Sequence, residues 1–279
     1  MHSKRTSSAA VRNLVVFAVV AVAAGWAGRG LDVAVGSPAS EEPGQLVWIA
    51  APALTGLLLR AFAGDGWTDA GLRPSFGANR RWYLLALFFS PVSTLLTVLG
   101  GMAFGIMQFA APDAGHLLRL VALALVPSFN KNIFEEFAWR GYLTPRLSAA
   151  GVPEALDHAL TGIVWAAWHV PYYLFFLDRE TFAVISPHGE ALFFTMMFAG
   201  VISLALVYGE LRLSSGSVWP VVALHTVSNA VTGTMLLHGC FRMPPMADLV
   251  VSPLPGSLVS IALNIALWLW LRRCRRSGG

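Results

Sequence analysis

Six side chains in this 279-residue chain have the types and spacing to do chemistry: Glu135, Glu136, Arg140, His169, His225 and Asn229. The two carboxylates and the guanidinium form Glu135-Glu136-x-x-x-Arg140 at the end of a mostly apolar run, Leu117 to Phe134. His169 lies four residues after Trp165 in a second apolar run, and His225 and Asn229 are four apart in a third. A glutamate can act as general base on water, and a histidine can share the proton transfer. A second histidine and a carboxamide can donate hydrogen bonds to a developing oxyanion. That inventory suits hydrolysis of an amide or ester by activated water. No Ser-His-Asp grouping, glycine-rich phosphate loop or HExxH pattern accompanies it.

Each pattern alone has a plainer explanation. Lys131 and Glu135 are i,i+4, as are Glu136 and Arg140, so a helix places each pair on one face as an ion pair. A lone histidine in an apolar span is commonly a hydrogen-bonder between helices, and His225 with Asn229 can serve as polar glue. Position along the membrane is what these explanations leave out, and it depends on the elements that carry the residues.

The chain is 56% hydrophobic and 12% charged, with mean hydropathy +0.63. A soluble domain is about 25% charged, so the composition points to a membrane protein. Its long apolar runs predict an all-α, polytopic helix bundle rather than the short alternating strands of a barrel. Eight spans are expected, near 12–29, 45–63, 82–110, 116–139, 159–177, 190–209, 217–238 and 253–271, in one integral membrane domain covering 1–279. The first follows Lys4, Arg5 and Arg12 and is read as a retained signal anchor. The pI near 9.4 does not call for nucleic acid, because the basic residues sit between the apolar runs. With the N-terminus inside, fourteen Lys and Arg fall on inner segments and four on outer ones. This asymmetry predicts a multi-pass protein of the cell membrane with both termini cytoplasmic. Two cysteines, Cys240 and Cys274, exclude a disulfide framework, and this topology puts them on opposite sides.

Local expectations follow. Residues 64–81 are read as a short amphipathic piece on the inner surface, and Gly101-x-x-x-Gly105 as a helix-packing motif. Pro127 and Pro171 are expected to kink their helices near the polar residues. In this topology Glu135, His169, His225 and Asn229 lie roughly 6–18 Å from the inner boundary, at about 1.5 Å per helical residue. Polar groups from three spans thus share one half of the membrane, as a common water-accessible site would require.

The three patterns, in this order, resemble the signature motifs of the CPBP intramembrane protease family. That family includes the CAAX prenyl endopeptidases of the Ras-converting type and bacterial bacteriocin-processing and immunity proteins. Arg140-Gly141-Tyr142-Leu143 after the first motif and Arg212 to Trp219 before the last strengthen the likeness, which covers roughly 67–237. The resemblance implies an eight-span helical core with its site open to the cytosol. It implies that Glu135 and His169 activate the water, that His225 and Asn229 stabilise the oxyanion, and that Glu136 and Arg140 are an orienting pair. Trp165 stands where the family usually has Phe, a change expected only to reshape the pocket. Lys131, one turn before Glu135, would weaken it as a base if it points into the site.

The family is often called a metalloprotease family, and Glu135, His169 and His225 could together hold zinc. The same residues would then not be free as base and oxyanion donor, so the metal-free arrangement is preferred. The expected partners are the bilayer and a peptide or membrane-associated protein substrate, which a lipid tail would also fit. Two other functions compete with an endopeptidase. One is a non-catalytic scaffold or bacteriocin-immunity protein of the same fold. The other is a proton-coupled transporter, since intramembrane Glu and His also mark proton paths.

Overall fold

The computed structural model describes residues 8–36, 43–110, 113–244, 246–252 and 256–277. Lys4, Arg5 and the first residues of the expected 253–271 span lie outside them. The described chain is an all-α membrane bundle. Its long helical segments are α1 (Ser8–Val35), α2 (Pro43–Phe62), α3 (Arg80–Ala103), α4 (Ala114–Ala138) continuing into α5 (Thr144–Ala149), and α6 (Glu154–Pro171). After the short α7 (Arg179–Ile185) come α8 (Glu190–Ser215), α9 (Trp219–Ser228) continuing into α10 (Thr234–Leu237), the short α11 (Ala247–Val250) and α12 (Leu258–Ser277). Five segments are long and apolar enough to cross a membrane: α1, α2, α3, α4 through α5, and α8. Of the rest, α6 opens with Glu154 and Asp157, and α12 ends in a run of arginines.

The burial pattern inverts that of a soluble protein. On α3 and α4 the outer faces are Leu and Phe, with Phe88 and Leu96 each 60% exposed, while Asn132, Glu135, Glu136 and Arg140 are buried. Apolar side chains meet lipid at no cost, so the polar residues collect inside, where other helices satisfy them. The central helix α4 packs against α2 and α9, and α6 packs against α1 and α8. Gly28 and Gly44 face each other between α1 and α2 so closely that a Cβ on either would overlap the other's backbone. Trp48 on α2 and Trp168 on α6 stack with centroids 4.0 Å apart, and each indole N–H donates to the other's carbonyl, at 2.8 and 2.9 Å.

Three local expectations change. The third helix ends at Ala103 rather than near 110, because Gly105 turns with φ +67°. Beyond it Gln108–Phe109 (β1) pairs antiparallel with Phe241–Arg242 (β2). Gly101 and Gly105 are therefore not a helix-packing motif; Gly101 makes room for Met107, whose Cβ would lie 2.9 Å from an added Cβ. The 64–79 segment is an irregular loop, not an amphipathic helix. Polar tethers hold it: Trp219 Nε1 donates to Leu72 O at 2.8 Å and Ser217 Oγ to Arg73 O at 2.7 Å.

Candidate active site

The first motif ends on a widened turn. α4 runs unbroken through Pro127 and passes into a π-helical turn at Trp139–Leu143, which contains Arg140. A second π turn, Tyr172–Phe176, follows Pro171 just after His169, and a third, Asn229–Gly233, begins at Asn229. Each helix that carries a motif thus changes its hydrogen-bond register at or beside it. Such turns recur at functional sites because they re-aim side chains and release backbone carbonyls. Of the three, only the one after Pro171 had a signal in the sequence.

Two buried arginines cap the first of these turns. Arg60 on α2 donates from Nε and Nη2 to Gly141 O, at 3.1 and 2.6 Å. Arg212 on α8 donates from Nε to Arg140 O at 3.1 Å. Sequence reasoning counted Arg60 only among the topology-setting charges, and Arg212 also as the start of the stretch before the last motif; their partners are carbonyls that a regular helix would have used itself.

The two adjacent carboxylates have different partners. Both carboxylate oxygens of Glu136 accept from Arg140 Nη1 at 3.2 Å, and its Oε1 lies 2.8 Å from His225 Nδ1. Glu136 and Arg140 are both fully buried. The Arg140 guanidinium also sits over the rings of Trp165, at 4.4 Å, and Tyr208, at 4.9 Å. Glu135 instead bonds Lys131 through Oε1 and accepts from Trp165 Nε1 at Oε2, 2.7 Å away. Trp165 therefore does more than reshape a pocket: a phenylalanine there would have no N–H to give Glu135.

Trp165 also joins the two histidines. Its ring lies 5.8 Å from that of His169 and 5.3 Å from that of His225, and its carbonyl is 2.9 Å from His169 Nδ1. Asn229 is held from the other side, donating from Nδ2 to Asn132 Oδ1 at 3.1 Å, one helical turn before Glu136. The structure thus gathers Glu135, Glu136, Arg140, His169 and His225 around one indole, with Asn229 attached through Asn132. Helices α4, α6 and α9 each supply part of the cluster.

The donor set does not fit a zinc ion. Zinc takes three protein ligands at about 2 Å in a catalytic site. Among the described residues no group of three or more His, Cys, Asp and Glu is placed to hold one. Glu135, His169 and His225 are engaged separately, by Lys131 and Trp165, by the Trp165 carbonyl and by Glu136.

An apolar helical bundle with a buried Glu/His cluster defines a membrane protein with an intramembrane polar site. Residues 115–231 match the family model described as Type II CAAX prenyl endopeptidase Rce1-like. The matched stretch, less than half of the chain, contains all six candidate residues. The match supports a CAAX-type intramembrane protease, acting on peptide or protein substrates in a membrane. No curated protein matches the chain.

Proposed function

We propose that the protein cleaves peptide bonds with a water activated by Glu135 and His169, in a cavity open to the cytoplasm. His225 and Asn229 donate to the tetrahedral oxyanion as it forms. Glu136 and Arg140 hold His225 in place: the carboxylate accepts from Nδ1–H, and in the imidazolium form the ring also carries the Nε2–H that donates to the oxyanion. The observation that carries this reading is the indole of Trp165, bonded to Glu135 and lying against both imidazoles. A bilayer scaffold would not require that the residues of three motifs meet at one ring.

In this mechanism the Glu135 carboxylate takes a proton from water as the hydroxide attacks the carbonyl carbon. The proton then passes to the leaving amine, so the glutamate returns to its ionised state. Lys131 keeps one oxygen of Glu135 engaged and Trp165 the other, which orients the carboxylate before substrate arrives. No metal takes part.

The test is Glu135→Gln in purified protein, assayed against a mixed peptide library with product masses read out. The glutamine is isosteric and keeps an oxygen for Trp165. Cleavage is expected to fall by at least about a hundredfold, the scale of a lost general base, with folding retained. Full activity in that variant would remove Glu135 as the base.

A further inference from the structure

Away from the Glu/His cluster, at the level where α2, α5 and α8 end, the bundle holds a cavity of about 410 Å³. Thr68, Asp69, Gly71, Thr144, Ser148 and Arg212 contribute to its wall. Three hydroxyls and a guanidinium line it, and nothing in the proposed hydrolysis uses them.

Arg212 is the unusual member. It is 8% exposed, and its acceptors are the carbonyls of Arg140 and Asp69, at 3.1 and 2.6 Å. Among the described residues it has no carboxylate partner, although buried guanidinium groups are normally paired with one. The acids beside it are already engaged. Asp69 bonds Arg60 at 2.7 Å and also Arg146, while Asp65 accepts from Tyr142 Oη at 2.6 Å and lies 3.8 Å from Arg146. Three arginines against two aspartates leave the cluster with one excess positive charge. Arg73 and Arg80, both exposed, add to the positive field at this end of the bundle.

We propose that this cavity binds a phosphate-bearing anion, the headgroup of an anionic phospholipid or a free phosphate. The guanidinium of Arg212 meets the phosphate oxygens, and the hydroxyls of Thr68, Thr144 and Ser148 complete the contacts. Basic pockets between helices at the membrane surface recognise such headgroups, and guanidinium–phosphate hydrogen bonds are the strong, charge-assisted kind. The cavity is larger than a phosphate alone needs and has room for a glycerol as well. Because Arg212 also caps the carbonyl of Arg140, an occupant here stiffens the turn that carries the first motif.

Native mass spectrometry of the purified full-length protein tests this, with phosphatidylglycerol or phosphatidylcholine added and inorganic phosphate as competitor. Phosphatidylglycerol is expected to be retained about tenfold better than phosphatidylcholine, the scale of one charge-assisted hydrogen bond. Ser148→Glu adds a negative charge to the cavity wall at an exposed position, so the fold is retained while that preference disappears. Arg212→Gln gives the same loss, and Arg212→Lys restores part of it. Competition by millimolar phosphate identifies the free anion as sufficient ligand; its absence identifies the lipid headgroup. Equal retention of the two lipids by the unmodified protein overturns the proposal. So does an unchanged preference in both Ser148→Glu and Arg212→Gln.

Discussion

Trp165 Nε1 donates to Glu135 Oε2 at 2.7 Å, a hydrogen bond from a residue that lies four positions before His169 and shares its helix. The bond fixes the carboxylate proposed as general base to the helix that carries the histidine proposed as its partner. Trp165→Phe keeps a ring against His169 and His225 but removes the donor. A hydrogen bond to a charged group contributes about 1.5–3 kcal/mol. If it serves to aim Glu135, kcat is expected to fall roughly tenfold or more with KM nearly unchanged, since each 1.4 kcal/mol or so is tenfold in rate. Steady-state kinetics on a cleavable peptide checks this. A rise in KM alone would instead make the tryptophan a substrate-contacting wall.

Arg140→Ala is expected to act on stability first. It leaves Glu136 buried with only His225, and removing one partner of a buried ion pair typically costs about 3–5 kcal/mol. The loss also removes the cation stacked on Trp165 and Tyr208. The double variant Glu136→Gln/Arg140→Ala has no stranded charge and is expected to regain part of the unfolding temperature. Thermal unfolding in detergent of both variants tests the pair. Equal destabilisation in single and double variants would show that Arg140 acts by packing rather than charge.

The bundle was legible because lipid imposes a simple rule: Leu87, Phe88, Leu95 and Leu96 are exposed on α3 without penalty, so apolar runs mark helices directly. Helix ends were harder. Ile106, Met107 and Phe109 continue the apolar composition of α3, but Gly105 has already turned the chain, and hydropathy does not register a positive φ. The six candidate residues were legible from type and spacing. Their pairing was not: His225 meets Glu136 rather than Glu135 because α9 approaches the Arg140 side of α4, which depends on packing between residues 89 apart in the chain. The π turns at Trp139–Leu143 and Asn229–Gly233, and the arginine caps of the first, left no trace in the sequence, since Arg60 and Arg212 satisfy carbonyls freed only in the folded backbone.

Membrane orientation rests on the distribution of basic residues and needs a chemical test. Cys240 cannot report on it, because it is fully buried. A Cys240→Ser/Cys274→Ser background with single cysteines at exposed positions serves instead. Arg179→Cys lies in the segment between α6 and α8, where the ion pair to Glu190 is exposed and worth at most about 1 kcal/mol. Arg80→Cys opens α3 at the opposite end of the bundle. With both termini cytoplasmic, a membrane-impermeant maleimide on intact cells is expected to label the cysteine at 179 and leave the one at 80 unmodified until the cells are opened. The reverse pattern would put the proposed site on the outer side.

Metal removal tests the division of labour between the histidines. A zinc ion held by Glu135, His169 and His225 would need all three to turn from their present partners: Lys131 and Trp165 for the carboxylate, the Trp165 carbonyl for one imidazole and Glu136 for the other. Turning His225 would also cost Glu136 one of its hydrogen bonds, leaving it to Arg140 alone at 3.2 Å. The arrangement is coherent without that rearrangement, with Glu135 polarising water and the His225 imidazolium presenting its Nε2–H to the oxyanion. Protein washed with a chelator is therefore expected to keep its peptidase activity, with elemental analysis showing well under about one zinc per chain, the occupancy a catalytic site requires. Stoichiometric zinc whose removal ends activity and whose return restores it would make His169 and His225 ligands, and the oxyanion donor would then have to be Asn229 alone.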